Sequence, residues 1–344
     1  MEAQIREFHP DFAVLTDETA AADLTIRISD TDTKVLAGFA GITEMLHTVK
    51  TENPLGVTVE NSILGEAGLL PTLETLKAGH KLALANKESL VVGGEIVMSL
   101  ARKKGTTILP VDSEHCAIFQ CLRAGRQEEI KKILLTASGG PFRKFTLDEM
   151  RDVKATDALR HPTWEMGAKI TIDSASMMNK GFEVIEAKWL FGVEAEKIQV
   201  LVHPQSIVHS AVQFRDGGVK AQLGVPDMRL PIQYAFSFPE RLPLNGDRLD
   251  LFRQPLEFFE PDMEKFRCLA MAYESIRRGG NVPCVMNAAN EVVNEAFRHD
   301  RCGFLQMADI IEATMQRATF VAQPTYDDYI ASDAEARRIA ASML

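Results

Sequence analysis

The chain has 344 residues, of which 46% are apolar and 25% charged, and its net charge at pH 7 is −10. This composition is typical of a globular protein of two or three domains, and it excludes a chain that is disordered, collagen-like or coiled-coil throughout. No apolar run approaches the roughly 20 residues that a membrane span needs. An acidic chain repels nucleic acid and anionic membranes, so an anionic substrate would need a local basic pocket.

The cysteines and the N-terminus indicate a cellular location. The N-terminal segment MEAQIREFHP is polar and has no apolar region of the kind found in signal peptides. The cysteines are odd in number and scattered, and no pair has metal-knuckle or C-x-x-C spacing: Cys116, Cys121, Cys268, Cys284 and Cys302. We therefore expect reduced thiols and a cytoplasmic protein.

Short apolar runs alternate with helical patterns in the first third of the chain. Strands are predicted over residues 12–15, 34–37, 56–60, 81–85 and 106–111. Helices are predicted over 64–78 and 89–104, where apolar residues recur at spacings of three and four. This alternation indicates an α/β fold with a parallel sheet, and the continuous apolar run KLALA fits a strand that is buried on both faces.

The remaining two thirds of the chain contain a part rich in predicted strands, followed by a helical part. Strands are predicted over 134–137, 170–172, 198–202, 207–214 and 218–223. Asp216-Gly217-Gly218 lies between the last two strands and predicts a hairpin. From about residue 266 onward the pattern is helical, and the helix in CLAMAYESIRRGG ends in a glycine pair. Further helices are predicted over 287–298, 307–316 and 333–343.

The segment TTILPVDSEH places acidic side chains directly after a predicted strand. In an extended chain Asp112 and Glu114 would share one face. Neighbouring carboxylates repel unless a cation or a proton lies between them, and an all-oxygen site suits Mg²⁺ or Mn²⁺. Ligands gather beyond the strand ends of open α/β sheets. An N-cap at Asp112 or Ser113 is an equally good interpretation.

The segment TIDSASMMNKGFEVIEAKWLF groups small polar residues at the start of a predicted helix. Helix N-termini bind phosphate through free N–H groups and the helix dipole. The polar residues at this end are Ser174, Ser176, Asn179 and Lys180. Glu183 lies on the same helix face as Lys180, as a candidate third metal carboxylate, and Glu186 is interpreted as structural. An ordinary capped helix with a surface Lys–Glu pair is the alternative.

Three further loops follow strands or bear unusual side chains. Ser138-Gly139-Gly140-Pro141 suits an anion, or is a plain turn. Lys87 would lie near Asp112 if their strands are neighbours, or is a solvated loop lysine. In RHPTWEMG (160–167), Trp164 is costly to expose and predicts a lid over a ligand, although docking on the core is the alternative.

Dinucleotide and mononucleotide glycine motifs are missing from the sequence. It contains neither G-x-G-x-x-G nor G-x-x-x-x-G-K-[ST]. Gly65-Glu66-Ala67-Gly68 is the nearest pattern, and it predicts either a dinucleotide contact or a tight turn between a strand and a helix.

Taken together, these segments resemble the 1-deoxy-D-xylulose 5-phosphate reductoisomerase family. The resemblance rests on GEAGLLPT, LANKESLV, LPVDSEHCAIFQ, LLTASGGPF, RHPTWEMGAKITIDSASMMNKGFEVIEAKWLF, HPQSIVHS, QLGVPDMRLPI and NAANEVVNEAF. These motifs follow the family's order and cover nearly the whole chain. The resemblance implies a Rossmann-like parallel sheet, a central α/β catalytic domain and a C-terminal helical domain.

The resemblance also implies roles for individual residues. The implied metal ligands for Mg²⁺ or Mn²⁺ are Asp112, Glu114 and Glu183. The implied substrate-binding residues are Lys87, Ser113, Glu114, Ser138, His161, Ser174, Asn179, Lys180 and Glu183. The implied NADPH-binding residues are Asn86, Glu88 and Gly167. The implied flap over the substrate carries Trp164 and Met166, and the candidate catalytic residues are Lys87, Glu114 and His161.

The sequence departs from the family pattern at its start. Family members begin with a strand, the glycine turn GSTGSIG, a helix and a second strand, and this sequence begins at the helix that follows them. The predicted domains are a partial NADPH-binding domain at 1–111, a catalytic domain at 112–237 with the flap at 160–167, a linker at 238–265 and a helical domain at 266–344. On this basis we expect weak NADPH binding.

The implied reaction is the rearrangement and reduction of 1-deoxy-D-xylulose 5-phosphate to 2-C-methyl-D-erythritol 4-phosphate, which belongs to non-mevalonate isoprenoid biosynthesis. It requires NADPH and a divalent metal, and the expected assembly is a homodimer with no nucleic-acid or membrane partner. Two alternatives stay open: a metal- and sugar-phosphate-binding homologue without reductase activity, and a non-catalytic assembly subunit.

Overall fold

The computed structural model describes residues 1–123, 125–160, 164, 166–252 and 255–344. The first part of the chain alternates strands and helices. Its strands are β1 (Phe12–Leu15), β2 (Lys34–Ala37), β3 (Thr58–Asn61), β4 (Lys81–Leu84) and β5 (Ile108–Pro110). Its helices are α1 (Glu2–Phe8), α2 (Glu18–Arg27), α3 (Gly38–Glu52), α4 (Leu69–Ala78) and α5 (Glu88–Lys104). Strand β1 pairs with β2, and β3, β4 and β5 form a second sheet in that order. All these pairs are parallel, which confirms the predicted α/β class.

Strand β4 lies at the centre of the three-stranded sheet, and this position explains its apolar sequence. Leu82, Ala83 and Leu84 are each at most 4% exposed, as expected for a strand covered on both faces. The pattern Gly65–Gly68 forms a tight turn between β3 and α4. A Cβ atom on Gly68 would lie 2.6 Å from Cγ of Asn86, so this turn needs glycine to let the next loop approach.

The middle of the chain forms a mixed four-stranded sheet. Its strands are β6 (Ile130–Ala137), β7 (Ile198–Val202), β8 (Val208–Phe214) and β9 (Val219–Leu223), in the order β7-β6-β8-β9. Strands β6 and β7 are parallel, and β8 and β9 form the predicted antiparallel hairpin. Its helices are α6 (Ser113–Leu122), α7 (Leu147–Met150), α8 (Ala155–Ala158), α9 (Ala168–Ala175), α10 (Met178–Phe191) and α11 (Arg229–Ser237).

The C-terminal part is helical, as predicted. Its helices are α12 (Arg267–Arg278), α13 (Val282–Arg298), α14 (Phe304–Arg317) and α15 (Tyr326–Ala341). Helix α13 is the most deeply buried of these and packs against α14, α15 and α12. Its apolar residues belong to the same core as those of α10, so the helical part and the central sheet share one interior. In the described part of the chain, no helix is long and apolar enough to cross a membrane.

The predicted strand at residues 170–172 is wrong, because this segment lies inside helix α9. The local sequence Ile-Thr-Ile favours a strand by its β-branched side chains. In the folded chain, however, Ile172 and Ala175 are both fully buried at a spacing of three residues, which is the spacing of a helix face. Packing of that face on α10 and α13 outweighs the small local preference.

Candidate active site

The candidate site lies beyond the carboxyl ends of neighbouring strands. Strand β4 leads into Lys87 and the adjacent parallel strand β5 leads into Asp112. Strand β6 of the second sheet leads into Ser138. Helix α10 brings Glu183 to the same place from the opposite side. Ligand sites of α/β proteins form at such strand ends because loops and helix starts converge there.

Three carboxylates meet at this position. The oxygens that Asp112, Glu114 and Glu183 would offer to a metal all lie within 4.8 Å of one another. Asp112 also caps helix α6, since its Oδ1 accepts a hydrogen bond from the backbone N–H of Glu114 at 3.1 Å. The N-cap interpretation is therefore confirmed, and it does not exclude a metal site because Asp112 has a second oxygen. These residues form the carboxylate triad.

Two lysine ammonium groups contact the carboxylate triad. Lys87 Nζ donates to Asp112 Oδ2 and lies 3.1 Å from Glu183 Oε1. Lys180 Nζ donates to Glu183 Oε2 and lies 3.1 Å from Glu114 Oε1. The alternative that Lys87 is a solvated loop lysine is wrong, since its side chain is only 11% exposed. The alternative of a surface Lys–Glu pair is equally wrong for Lys180, whose side chain is 5% exposed.

A second polar group lies directly behind the triad and was missed by the sequence reasoning. His115 Nε2 donates to the backbone carbonyl of Glu183 at 2.9 Å. Its Nδ1 faces Asp112 Oδ1 at 3.6 Å and Glu186 Oε2 at 3.9 Å, and these two distances exceed hydrogen-bond length. Because His115 follows Glu114 on a short helix turn, the D-x-x-H spacing with Asp112 was the signal available in the sequence.

Burial and charge shift the acidities of these groups. Burial raises the pKa of Glu114 to about 7, and the neighbouring Glu183 carboxylate adds to this effect. Burial alone would raise the pKa of Asp112 too, but the Lys87 ammonium outweighs it and holds that pKa well below its usual range. Burial also raises the pKa of Glu186 to about 7. Four buried or half-buried carboxylates thus lie near two ammonium groups, and when all four are ionised they carry an excess of negative charge that one divalent cation would balance.

A cavity of about 250 Å³ opens beside the triad. It brings together most of the candidate substrate residues: Lys87, Ser113, Glu114, Ser138, Ser174, Asn179, Lys180 and Glu183. Trp164 and Met166 of the candidate flap also line it. His161 lies outside the described residues. Met177, Ser206 and Met228 also line the cavity. They lie within the quoted motifs TIDSASMMNK, HPQSIVHS and QLGVPDMRLPI, but the sequence alone did not assign them to the site.

The candidate NADPH residues lie beside this cavity but do not line it. Asn86 Nδ2 donates to the Glu88 carboxylate at 3.0 Å and to the carbonyl oxygens of Ile63 and Gly65. Both side chains are buried and bonded within the protein, so they shape the wall of this region. Gly167 caps helix α9, and among the described residues no atom lies within 4 Å of the Cβ it lacks.

A buried network that sequence reasoning missed joins this wall to the C-terminal helices. Lys169 Nζ bridges Glu88 at 2.8 Å and Asp173 at 3.1 Å. Asp173 Oδ1 in turn accepts hydrogen bonds from Asn290 and Asn294 of α13, both at 2.8 Å. The asparagines of NAANEVVNEAF recur at helical spacing, and this polar stripe on a buried helix was the available signal.

Comparison with known proteins identifies the family. Family models for 1-deoxy-D-xylulose 5-phosphate reductoisomerase match residues 1–94, and models for its C-terminal domain match residues 108–191 and 223–339. The reductoisomerase of Bacteroides thetaiotaomicron is 56% identical over 343 residues, which cover 99% of this chain and 87% of that protein. This chain belongs to the 1-deoxy-D-xylulose 5-phosphate reductoisomerase family. The resemblance expected from the sequence motifs is thereby confirmed.

Solved structures of reductoisomerases share the fold. The enzyme from Zymomonas mobilis in complex with NADPH superimposes with a TM-score of 0.91 at 41% identity, over 99% of this chain and 88% of that one. A reductoisomerase in complex with NADPH, fosmidomycin and magnesium gives a TM-score of 0.90 at 38% identity, with the same coverage. A reductoisomerase of Chloroherpeton thalassium is 50% identical over 336 residues, or 97% of this chain and 86% of that protein.

Proposed function

We propose that this chain catalyses the rearrangement and NADPH-dependent reduction of 1-deoxy-D-xylulose 5-phosphate to 2-C-methyl-D-erythritol 4-phosphate, with Mg²⁺ or Mn²⁺. The observation that carries the proposal is the cavity in which the carboxylate triad, two lysines and several hydroxyl and amide donors converge. Relatives of the same family have been solved with NADPH and magnesium, which supports both cofactors for this chain.

Asp112, Glu114 and Glu183 would hold the metal. Their convergence and the excess of negative charge around them fit a divalent cation, and carboxylate oxygens are the donors that Mg²⁺ and Mn²⁺ prefer. When bound, the metal polarises the ketone and hydroxyl oxygens of the substrate. The helix cap at Asp112 fixes one carboxylate, and α10 fixes another, so the protein sets the direction of that polarisation.

The phosphate end of the substrate would lie against Ser138, Ser174, Asn179 and Lys180. All four line the cavity and offer hydroxyl, amide or ammonium donors. Gly140 lets the Ser138 loop approach, because its φ of 67° is in the left-handed region and a Cβ atom would lie 2.8 Å from the Ser174 carbonyl oxygen. His161 is the family's further candidate here.

Lys87 and Glu114 would stabilise charge and transfer protons at the reacting atoms of the substrate. The Lys87 ammonium is buried at the triad and stabilises negative charge that develops on a substrate oxygen. Glu114 Oε2 accepts a hydrogen bond from the Ser113 hydroxyl at 2.6 Å, and both side chains face the cavity. This pair offers a hydroxyl and a carboxylate through which a proton can move.

Trp164 and Met166 would close the cavity during turnover. Both line it, and the Trp164 ring lies 6.4 Å from the ring of His209. Their apolar surfaces would exclude water from the substrate. When bound, NADPH would supply the hydride for the reduction, and Gly167, Asn86 and Glu88 are the residues that we assign to its nicotinamide side.

We also propose a cytoplasmic homodimer. Strand β9 pairs only with β8 among the described residues, and Val219 on it is 54% exposed. Such an edge strand is suited to pairing with a second copy. The five thiols are unpaired, which is typical of a reducing compartment. Light scattering should give a dimer, and Val219→Lys should shift it toward monomer.

The decisive experiment is turnover and metal binding of Asp112→Asn. We expect loss of NADPH absorbance when the chain, Mn²⁺ and 1-deoxy-D-xylulose 5-phosphate are mixed, and no measurable turnover in the variant. Calorimetry should show Mn²⁺ affinity lowered by at least about tenfold. Asp309→Asn is the control, because that carboxylate is exposed and pairs with Arg267. Metal and phosphonate binding by the wild-type chain without any turnover would instead favour the non-reducing homologue.

A further inference from the structure

Every carboxylate of the triad contacts a lysine ammonium group. Lys87 forms ion pairs with Asp112 and Glu183, and Lys180 forms ion pairs with Glu114 and Glu183. The carboxylates that would bind a divalent cation are therefore the same carboxylates that accept hydrogen bonds from the two lysines, and both oxygens of Glu183 accept from an ammonium group. A cation entering the triad must compete with both ammonium groups.

The two arrangements exclude each other on electrostatic grounds. A metal–oxygen bond to Mg²⁺ is about 2.1 Å long, so an ammonium group bonded to the same carboxylate would lie only a few ångströms from the cation. Like charges at this separation repel strongly in a buried site. All of these side chains start from helix ends or helices, but each lysine has a four-carbon flexible stem, whereas Asp112 is short and held by its cap hydrogen bond, so we expect the lysines to move.

The space open to the ammonium groups is the cavity itself. Lys87 and Lys180 both line it, as do Ser138 and Ser174. Asn179 also contacts the triad: its Nδ2 donates to Glu183 Oε1 at 2.7 Å. Its buried Oδ1 has no hydrogen-bond partner among the described residues. The donors on the first turn of α10 are thus directed at Glu183, within reach of an anion in the cavity.

We propose that Lys87 and Lys180 are exchangeable counter-ions of the carboxylate triad, which a divalent cation releases toward an anionic phosphate or phosphonate in the cavity. The proposal rests on the metal site assigned above. It makes cation and anion binding cooperative, because each ligand removes the competitor of the other. Linkage then requires that the two ligands increase each other's affinity by the same factor.

The test measures Mn²⁺ affinity from the electron paramagnetic resonance signal of free Mn²⁺. Without an anion, Lys180→Met and Lys87→Met should each bind Mn²⁺ about tenfold more tightly than the wild type, because a competing cation is gone. Methylphosphonate, which has no metal-chelating group, should tighten Mn²⁺ binding to the wild type at least about fivefold, and should lose this effect in Lys180→Met. Lys77→Met is the control, since that ammonium pairs with Glu74 at 2.7 Å and not with the triad.

A second readout follows the lysines directly and needs no variant. Acetic anhydride labelling with peptide mass spectrometry should show that Mn²⁺ increases the labelling of Lys87 and Lys180 and leaves Lys77 unchanged. Labelling that Mn²⁺ leaves unchanged or lowers, or Mn²⁺ affinity that falls in both lysine variants, would overturn the exchange. Mn²⁺ binding that Asp112→Asn does not weaken would instead overturn the metal site itself.

Discussion

Replacing Lys169 by methionine should destabilise the chain more than its partly exposed position suggests. Its ammonium is shared by Glu88 and Asp173, whose side chains are only 9% and 3% exposed, and it lies 5.4 Å from the Phe182 ring centre. Methionine keeps most of the apolar stem but leaves two buried carboxylates without their cation.

The size of the loss follows from burial. Removing one partner of a fully buried ion pair costs about 3–5 kcal/mol. The Lys169 side chain is 24% exposed, so water reaches the site in the variant and lowers this cost. We therefore expect the free energy of unfolding to fall by about 2–3 kcal/mol. Replacing both carboxylates as well, in Lys169→Met/Glu88→Gln/Asp173→Asn, should recover most of the loss, because no unpaired charge remains.

Urea denaturation followed by circular dichroism measures this effect. Arg267→Met is the matched control, since Arg267 also bridges two carboxylates, Asp309 and Glu312, but all three side chains are well exposed. Exposed pairs contribute about 1 kcal/mol or less, so the control should lose little stability. Equal losses in the two methionine variants, or a triple variant no more stable than Lys169→Met, would refute the reasoning.

Three further predictions concern the site and the cysteines. Gly140→Ala should weaken methylphosphonate binding at least about tenfold, because the added Cβ atom would displace Ser174. Gly217 is the control: its φ is 89°, but the space around it is open, so Gly217→Ala should carry backbone strain of about 1–2 kcal/mol and leave binding unchanged. Equal binding in both variants would contradict the assignment of the Ser138 loop to the phosphate. Fosmidomycin with Mn²⁺ should change tryptophan fluorescence. The change should disappear in Trp164→Phe, because Trp164 lines the cavity and Trp189 is not among its described lining residues. A change that persists would remove Trp164 from the lid. Burial raises the pKa of Cys116, Cys121 and Cys302 to about 11 and that of Cys268 to about 12. At pH 8 the native chain should therefore react slowly with a disulfide reagent and yield all five thiols only in denaturant. Rapid reaction of the native chain would show that the cysteines are less buried than this.

Most of the fold could be predicted because its elements have local signals. Strand β4 is a short, continuous apolar run, and the hairpin of β8 and β9 is marked by its glycine turn. Helix α12 ends at the glycine pair that marks it in the sequence. Helix α9 could not be predicted in this way, because its helical state depends on neighbours that lie far away in the chain.

The candidate site was predictable to the extent that its residues follow strand ends or share a helix face. Asp112 and Lys87 were placed together on the assumption that their strands are neighbours, and β4 and β5 do pair. His115 and the Lys169 network were missed for a different reason. Their partners, among them Glu186 and Asn290, lie on other helices. No local sequence pattern predicts which distant side chain will contact a given histidine or lysine.

Helix α10 joins the two halves of the proposed chemistry. Asn179 and Lys180 lie four and three residues before Glu183, so one side of the helix carries both a candidate metal carboxylate and donors assigned to the phosphate. The distance between the two subsites is therefore fixed by helix geometry, which suits a substrate whose phosphate and carbonyl groups are a fixed number of bonds apart. The helix itself is held from behind, where Gly181 lets α12 approach so closely that an added Cβ atom would lie 2.7 Å from Cβ of Ala272. Among the described residues the C-terminal helices contribute no side chain to the cavity lining, yet α12 packs on α10 and so helps to position Asn179, Lys180 and Glu183.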